Sequence, residues 1–135
     1  MQKLILVAAL LSLTGTSALA QPSLDQQNAR NIVRGIHGEN TSGQIGEAAI
    51  DRRNNRIVVR IQGTKGSPEA VTIERGSTCG PAARPLVATL GTLHDGRLTA
   101  TLPLGADRLL SGNYDVVVHN NTPVSRSVAC GHLYL

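Results

Sequence analysis

The sequence predicts an all-β protein, a Greek-key antiparallel β-sandwich of immunoglobulin-like type with about eight strands and one disulfide. Three observations predict it. Short apolar runs alternate with turn residues, and no long helical period is present. The run Arg56–Gln62 alternates strictly, with Ile57, Val59 and Ile61 on one face. The chain also holds two cysteines, Cys79 and Cys130.

The elements follow from the same signals in chain order. Val71 and Ile73 share one face of a strand, and Thr72 and Glu74 share the other. Asp95-Gly96 is a strong hairpin signal between two strands. The predicted strands span residues 31–37, 44–51, 56–62, 70–74, 86–93, 97–102, 113–119 and 127–135, with a single helical turn at 106–110.

The N-terminus is typical of an export signal. Lys3 is followed by the short apolar run Leu4–Leu11 and by the small-residue cleavage site Ser17–Ala20. That run is shorter than the roughly 20 residues a transmembrane helix needs. We therefore predict a signal peptide at 1–20, a flexible leader at 21–28 and one domain at 29–135. The mature protein should be periplasmic or secreted and not transmembrane.

Composition restricts the classes of partner. The chain has no Phe or Trp and two tyrosines, so its core must be built from Val, Leu, Ile and Ala. Single-stranded nucleic acids stack on aromatic side chains, and nucleic acid is therefore not an expected partner. The net charge of +4 falls by one when Lys3 is removed with the signal.

The two cysteines predict a structural disulfide. Both lie in the exported part of the chain, where thiols are oxidised. A Cys79–Cys130 bridge closes a loop of about 50 residues. It should stabilise the fold by on the order of 4 kcal/mol, because it lowers the entropy of the unfolded chain. A redox-active pair would favour the close spacing of a C-x-x-C motif, which is not found here.

Four segments carry a family resemblance: Cys79-Gly80, Leu109–Tyr114, Val116–His119 and Ala129–Gly131. In this order they resemble the copper/zinc superoxide-dismutase-like sandwich and the related chordin-type (CHRD) domain of bacterial secreted proteins. The layout matches over most of the mature chain, and the specific part is its last few dozen residues. The resemblance implies the Cys79–Cys130 bridge and places His119 at a copper-ligand position.

Most of the family's metal ligands are missing. Its His-x-His pair falls on Thr72 and Glu74, and residues 80–93 lack the histidines of its zinc loop. The family's active-site arginine falls on Ser127, with Arg126 displaced by one residue, so Arg126 would need a β-bulge to reach the same face. A redox copper needs several converging imidazole or sulfur ligands. We therefore expect no cofactor and no dismutase activity.

His119 and Glu74 remain weak metal-site candidates, with His37, His94 or His132 as further ligands. The alternative is that His119, placed off the apolar face, is a hydrogen-bonded surface group.

Arg52, Arg53, Arg56 and Arg60 form the densest basic cluster. They suit an anionic partner, such as a lipopolysaccharide phosphate, a nucleotide or an acidic protein surface. The alternative is a solvated face that guards a strand edge.

No catalytic motif emerges. Gly-x-Ser-x-Gly is absent, and Gly63–Gly66 lacks the spacing and the helix of a phosphate loop. The sequence thus favours a non-enzymatic exported protein, a binding or interaction module with a degenerate metal site and an unknown partner. Two alternatives stay open: a copper- or zinc-binding protein using His119, and an envelope protein that binds anionic surfaces through its arginines.

Overall fold

The computed structural model describes residues 31–64, 68–76, 79, 84–123 and 125–134. The predicted signal peptide and leader, and the first two residues of the predicted domain, lie outside this part. None of the described helices has the length and hydropathy needed to cross a membrane.

Eight strands and one short helix make up the described chain. The strands are β1 (Asn31–Gly38), β2 (Ile45–Asp51), β3 (Arg56–Gln62), β4 (Glu69–Arg75), β5 (Leu86–Thr92), β6 (Arg97–Thr101), β7 (Tyr114–Asn120) and β8 (Ser127–His132), and the helix α1 is Ala106–Ser111. The all-β prediction is confirmed, and every predicted strand is present with its ends shifted by a few residues.

All eight strands belong to one antiparallel sheet in the order β5-β4-β7-β8-β1-β2-β3-β6. The sheet curls around a common core so that it is almost a barrel, with β5 and β6 as its two edges. These edges are consecutive in the chain, and the turn between them joins the two ends of the sheet. The predicted sandwich-like fold is thus built from a single sheet that curls on itself.

The turn between β5 and β6 has the predicted chemistry. His94 and Arg97 exchange two backbone hydrogen bonds, of 2.9 and 3.0 Å, across the two-residue loop Asp95-Gly96. Both loop residues have positive φ, 50° at Asp95 and 74° at Gly96. This is the conformation that makes Asp-Gly the preferred sequence of a tight hairpin.

Aliphatic side chains fill the interior, as the composition required. The predicted inward residues of β3, Ile57, Val59 and Ile61, are all buried. Leu109 and Leu110 of α1 belong to the same core cluster. Because α1 follows β6 and is anchored at Asn55, whose side chain accepts a hydrogen bond from the Ala106 N–H, it closes one end of the core.

Strands β4 and β7 are buried on both faces, which the alternating pattern did not predict. One face packs on the core, and on the other lie Arg84 and the Cys79–Cys130 disulfide. The Cys79–Cys130 bridge is present, with Cα atoms 5.7 Å apart, and confirms the predicted pairing. His119 does leave the core-facing side, but it is 7% exposed, so its placement at the surface was wrong.

Candidate functional site: a buried polar cluster beside the disulfide

Three neighbouring strands bring polar side chains together on the face that turns away from the core. The strand register places Glu74 of β4 opposite Asp115 of β7, and Asp115 opposite His132 of β8. In the next row Val117 lies opposite Cys130, so the disulfide adjoins these polar groups. We call the set Glu39, Thr72, Glu74, Arg84, Asp115, His119 and His132 the polar cluster.

His119 uses both ring nitrogens inside the protein. Its Nδ1 lies 2.7 Å from the Ser125 carbonyl oxygen, and its Nε2 lies 2.6 Å from Glu74 Oε2. Thr72 donates its hydroxyl proton to the same carboxylate oxygen at 2.5 Å. A carbonyl and a carboxylate only accept, so His119 donates from both nitrogens and is an imidazolium.

The charges of this pair stabilise each other. Burial disfavours the charged form of both groups, but the hydrogen bond and the charge of the partner outweigh it, so the pKa of His119 is raised and the pKa of Glu74 is lowered. An imidazolium has no lone pair to offer a metal. His119 and Glu74 are thus brought together as predicted, but as an ion pair.

Arg84 supplies the second cation of the polar cluster. Its side chain is 8% exposed, and its Nη1 lies 3.3 Å from Asp115 Oδ2 and 3.3 Å from Cys130 Sγ. Its other nitrogens lie 3.6 Å from Glu74 Oε1 and 3.8 Å from Glu39 Oε2. One guanidinium therefore faces three carboxylates.

The remaining acceptors of the polar cluster are also engaged. Asp115 Oδ1 lies 2.8 Å from His132 Nδ1, and Ser127 donates its hydroxyl proton to Glu39 Oε2 at 2.5 Å. Asp115 is fully buried, so it depends on these partners for its solvation. The arrangement holds opposite charges in fixed positions and ties Arg84 to β4 and β7.

Among the described residues, one group of potential metal ligands converges closely: Glu39 of the polar cluster with Cys79 and Cys130. Both sulfurs are bound to each other in the disulfide, so no thiolate is available there. His37 and His94, two other histidines considered as ligands, are exposed, and the side-chain hydrogen bonds of His119 within the described chain go to Thr72, Glu74 and Ser125.

A β-bulge of the kind that Arg126 would need is present, but it places Ser127, and not Arg126, opposite His119. The ladder between β7 and β8 skips Val128, so Ala129 lies opposite Val118 while Ser127 lies opposite His119. Ser127 therefore lies within reach of Glu39 in the polar cluster, to which it donates a hydrogen bond. The exposed Arg126 donates instead to Asn40 Oδ1 at 2.9 Å. The guanidinium beside the disulfide comes from Arg84.

Two of the four clustered arginines lie in ion pairs with acidic side chains. Arg52 pairs with Asp107 at 2.5 Å, and Arg60 lies 3.5 Å from Glu47. Arg56 and Arg60 share the outward face of β3 as predicted, while Arg53 is exposed in the turn. Across the ladder Arg60 lies directly opposite Arg97 of β6, which the sequence analysis did not single out.

Sequence reasoning named His132 only as a further metal ligand beside His119 and Glu74, and it missed Arg84, Asp115 and Glu39 as members of one site. Asp115 carries a signal that could have found it, a charged residue in an otherwise apolar strand. The other two lie in separate connections between strands, where a charge is ordinary. Only the register and the disulfide segment bring them together.

Comparison with protein-family models, with curated proteins and with solved structures found no match to this chain.

Proposed function

We propose that this chain is an exported, non-enzymatic binding protein on a Greek-key sandwich related to the superoxide-dismutase-like and CHRD group. In this interpretation protein cations stand where that family holds metal ions. The pairing of non-consecutive strands, β1 with β8, β3 with β6 and β4 with β7, supports the Greek-key part. The Cys79–Cys130 bridge supports an oxidising compartment.

The observation that carries the proposal is that the two buried cations of the polar cluster, His119 and Arg84, already lie beside its carboxylates. His119 donates from both nitrogens, and the Arg84 guanidinium lies among Glu39, Glu74 and Asp115. A metal ion entering this space would have to displace a guanidinium and deprotonate an imidazolium. Both steps oppose binding, because each leaves buried charges without their partners.

Metal analysis of the protein purified from the compartment to which it is exported tests the proposal. We expect no stoichiometric copper or zinc, and titration of either metal should give the same weak binding to the wild type and to His119→Ala. A stoichiometric metal that is lost in His119→Ala, with superoxide dismutation by the loaded protein, would establish the metal-binding alternative instead.

A second candidate function is attachment to an anionic envelope surface. A shallow groove of about 410 Å³ on the outward face of the sheet is lined by Arg56, Arg60 and Arg97, with Ala49 and Val58 on its floor. Arg60 and Arg97 are register partners, and like charges at such positions repel, so an anion bound between them would relieve that repulsion.

Vesicle binding tests this second candidate. We expect the protein to sediment with phosphatidylglycerol vesicles but not with phosphatidylcholine vesicles, and Arg56→Glu/Arg97→Glu to abolish the association. The control Arg53→Glu/Arg108→Glu changes the net charge equally at exposed sites that do not line the groove. An equal loss of vesicle binding in both variants would show that binding depends on net charge alone and would reject the groove as a specific site.

A further inference from the structure

The end of the core opposite α1 is closed by polar side chains. Glu69 stands at the start of β4, in line with the core residues Val71 and Ile73, and Gln44 stands directly before β2. Glu69 is 4% exposed and Gln44 is 5% exposed. The side-chain amide of Gln44 donates a hydrogen bond to Glu69 Oε1.

This pair leaves two buried acceptors without a donor. Gln44 Oε1 and Glu69 Oε2 are both inaccessible, and neither has a hydrogen-bond partner in the described part of the chain. Burying an unpaired polar atom is costly, and burying part of a carboxylate without a partner costs more. What the two oxygens lack is a donor, and a positively charged donor would satisfy them best.

A pocket of about 340 Å³ lies over Glu69 at this end of the sheet. The hairpin residues His94, Asp95 and Gly96 form one side of it, and Thr64, Pro68, Thr92 and Leu93 complete the described lining. Among the described lining residues the carboxylates are Glu69 and Asp95, in a chain whose net charge is +4. This volume lies at the lower end of the range for pockets that bind small molecules. Such pockets often lie at the mouth of a β-barrel, and this one lies at an end of the curled sheet.

We propose that this pocket binds the primary ammonium group of a small organic amine. The ammonium has three N–H donors, and Glu69, which lines the pocket, offers it the unpaired acceptor Oε2. Asp95 at the rim adds a second negative charge, and Leu93 and Pro68 offer apolar contact to the carbon chain. This site is separate from the polar cluster, so the inference goes beyond the proposed function and stands without it.

The geometry favours an organic cation over a metal ion. Metal ligands must converge, and in the described chain the one such grouping lies beside the disulfide, so Glu69, His94 and Asp95 do not form another. An amine needs no such convergence, because its ammonium and its carbon chain meet different parts of the pocket. Burial raises the pKa of Glu69 against the opposing effect of the Gln44 hydrogen bond, and a bound ammonium would offset that cost.

Calorimetric titration and thermal unfolding of the mature protein with 1,4-diaminobutane, at about pH 8 and so above the ordinary pKa of a glutamate side chain, test the proposal. We expect saturable binding and a rise in the unfolding temperature. Choline, a quaternary ammonium without N–H donors, and potassium chloride at equal ionic strength should give neither effect. Equal responses to all three would show a general salt effect and reject the site.

The matched variants are Glu69→Gln and Glu47→Gln. Each removes one carboxylate charge, but Glu47 lies on the outward face of β2 beside Arg60, remote from the pocket. We expect Glu69→Gln to weaken diamine binding by about tenfold or more, because it loses a hydrogen bond to a charged group. Glu47→Gln should bind as the wild type does.

Three results would overturn the proposal. The first is wild-type affinity in Glu69→Gln, and the second is an equal loss in Glu47→Gln. The third is a wild-type protein that binds no diamine at about pH 8 and whose infrared spectrum shows a protonated Glu69 at that pH. That last result would show a neutral carboxyl group that donates to Gln44, in place of a ligand site.

Discussion

Arg84 shows how one residue can decide the chemistry of a site. Its guanidinium faces Glu39, Glu74 and Asp115, all largely buried, and it supplies the positive charge that a metal ion would otherwise bring. Guanidinium is suited to this role because its donors form a rigid fork and it remains charged when buried. The site is therefore held together by fixed protein charges.

Replacing Arg84 by Met should destabilise the protein by about 3 kcal/mol, because Asp115 and Glu39 lose their buried counter-charge. Urea unfolding measures the change. Arg53→Met, an exposed turn residue, is the control and should change stability by less than about 0.5 kcal/mol. Equal small effects in both variants would mean that Arg84 contributes no more than a surface charge.

The His119–Glu74 pair predicts a pH window of stability. The pKa of Glu74 is lowered from 4.5, so its contribution is complete above pH 4.5 and is lost as the pH falls through the folded-state pKa. The pKa of His119 is raised from 6.5, so its contribution is complete below pH 6.5 and is lost as the pH rises through the folded-state pKa. The pair therefore stabilises most between these values.

Urea unfolding of the wild type and of His119→Gln across this range checks the window. The difference in unfolding free energy between the two proteins should be largest between pH 4.5 and 6.5 and should shrink on both sides. A difference that does not vary with pH would show that His119 acts through packing alone.

At the scale of elements, the hairpin between β5 and β6 holds the two edges of the sheet together. Gly96 has a φ of 74°, and a Cβ at this position would lie 2.3 Å from the Ile61 carbonyl oxygen. The Gly96 carbonyl in turn accepts a hydrogen bond from the Ile61 N–H at 2.7 Å. The turn is thus tied to β3 as well as to its own strands.

Gly96→Ala should cost roughly 1–3 kcal/mol, because the side chain must occupy a left-handed backbone conformation and clash with β3. Gly105→Ala is the matched control. Gly105 has a φ of −56°, and a Cβ added there would meet no other described residue within 4 Å, its chain neighbours aside. This change should therefore be neutral or stabilising by up to about 1 kcal/mol. Thermal unfolding compares the two variants, and a similar loss in both would disprove the turn argument.

At the scale of the whole molecule, the two ends of the core differ in kind. Leu109 and Leu110 of α1 close one end with aliphatic side chains, and Gln44 and Glu69 close the other with polar ones. An apolar pair would serve stability better at the second end, because the polar pair leaves two acceptors unsatisfied among the described residues. Such an unfavourable choice is typical of a binding site that trades stability for function.

The double substitution Gln44→Leu/Glu69→Leu should therefore stabilise the protein by about 1–3 kcal/mol, since apolar groups of similar size replace a buried polar pair. Gln44→Leu alone should destabilise it, because Glu69 then loses the hydrogen bond from the Gln44 amide. Urea unfolding of the three proteins measures both effects. A double variant less stable than the single one would show that the polar pair is structural.

Local sequence patterns were enough to predict the strands, the turns and the outward position of the arginines on β3. The strict alternation of Arg56–Gln62 predicted both faces of β3, and Asp95-Gly96 predicted a tight turn with positive φ. The same alternation failed at His119, because it assumes that one face of each strand meets water. Strand β7 is covered on both faces, and a strand's own sequence does not say what covers its second side.

The sequence by itself determined the strands, their turns, the aliphatic core and the cysteine pairing, because each depends on side-chain period, backbone conformation or the number of cysteines. Only the tertiary structure decided that Arg84 meets Glu74 and Asp115, and that Glu69 closes a core end beneath a pocket. These contacts join residues far apart in the chain through strand register and the disulfide segment. Charges so distant acquire partners only when the fold removes them from water together.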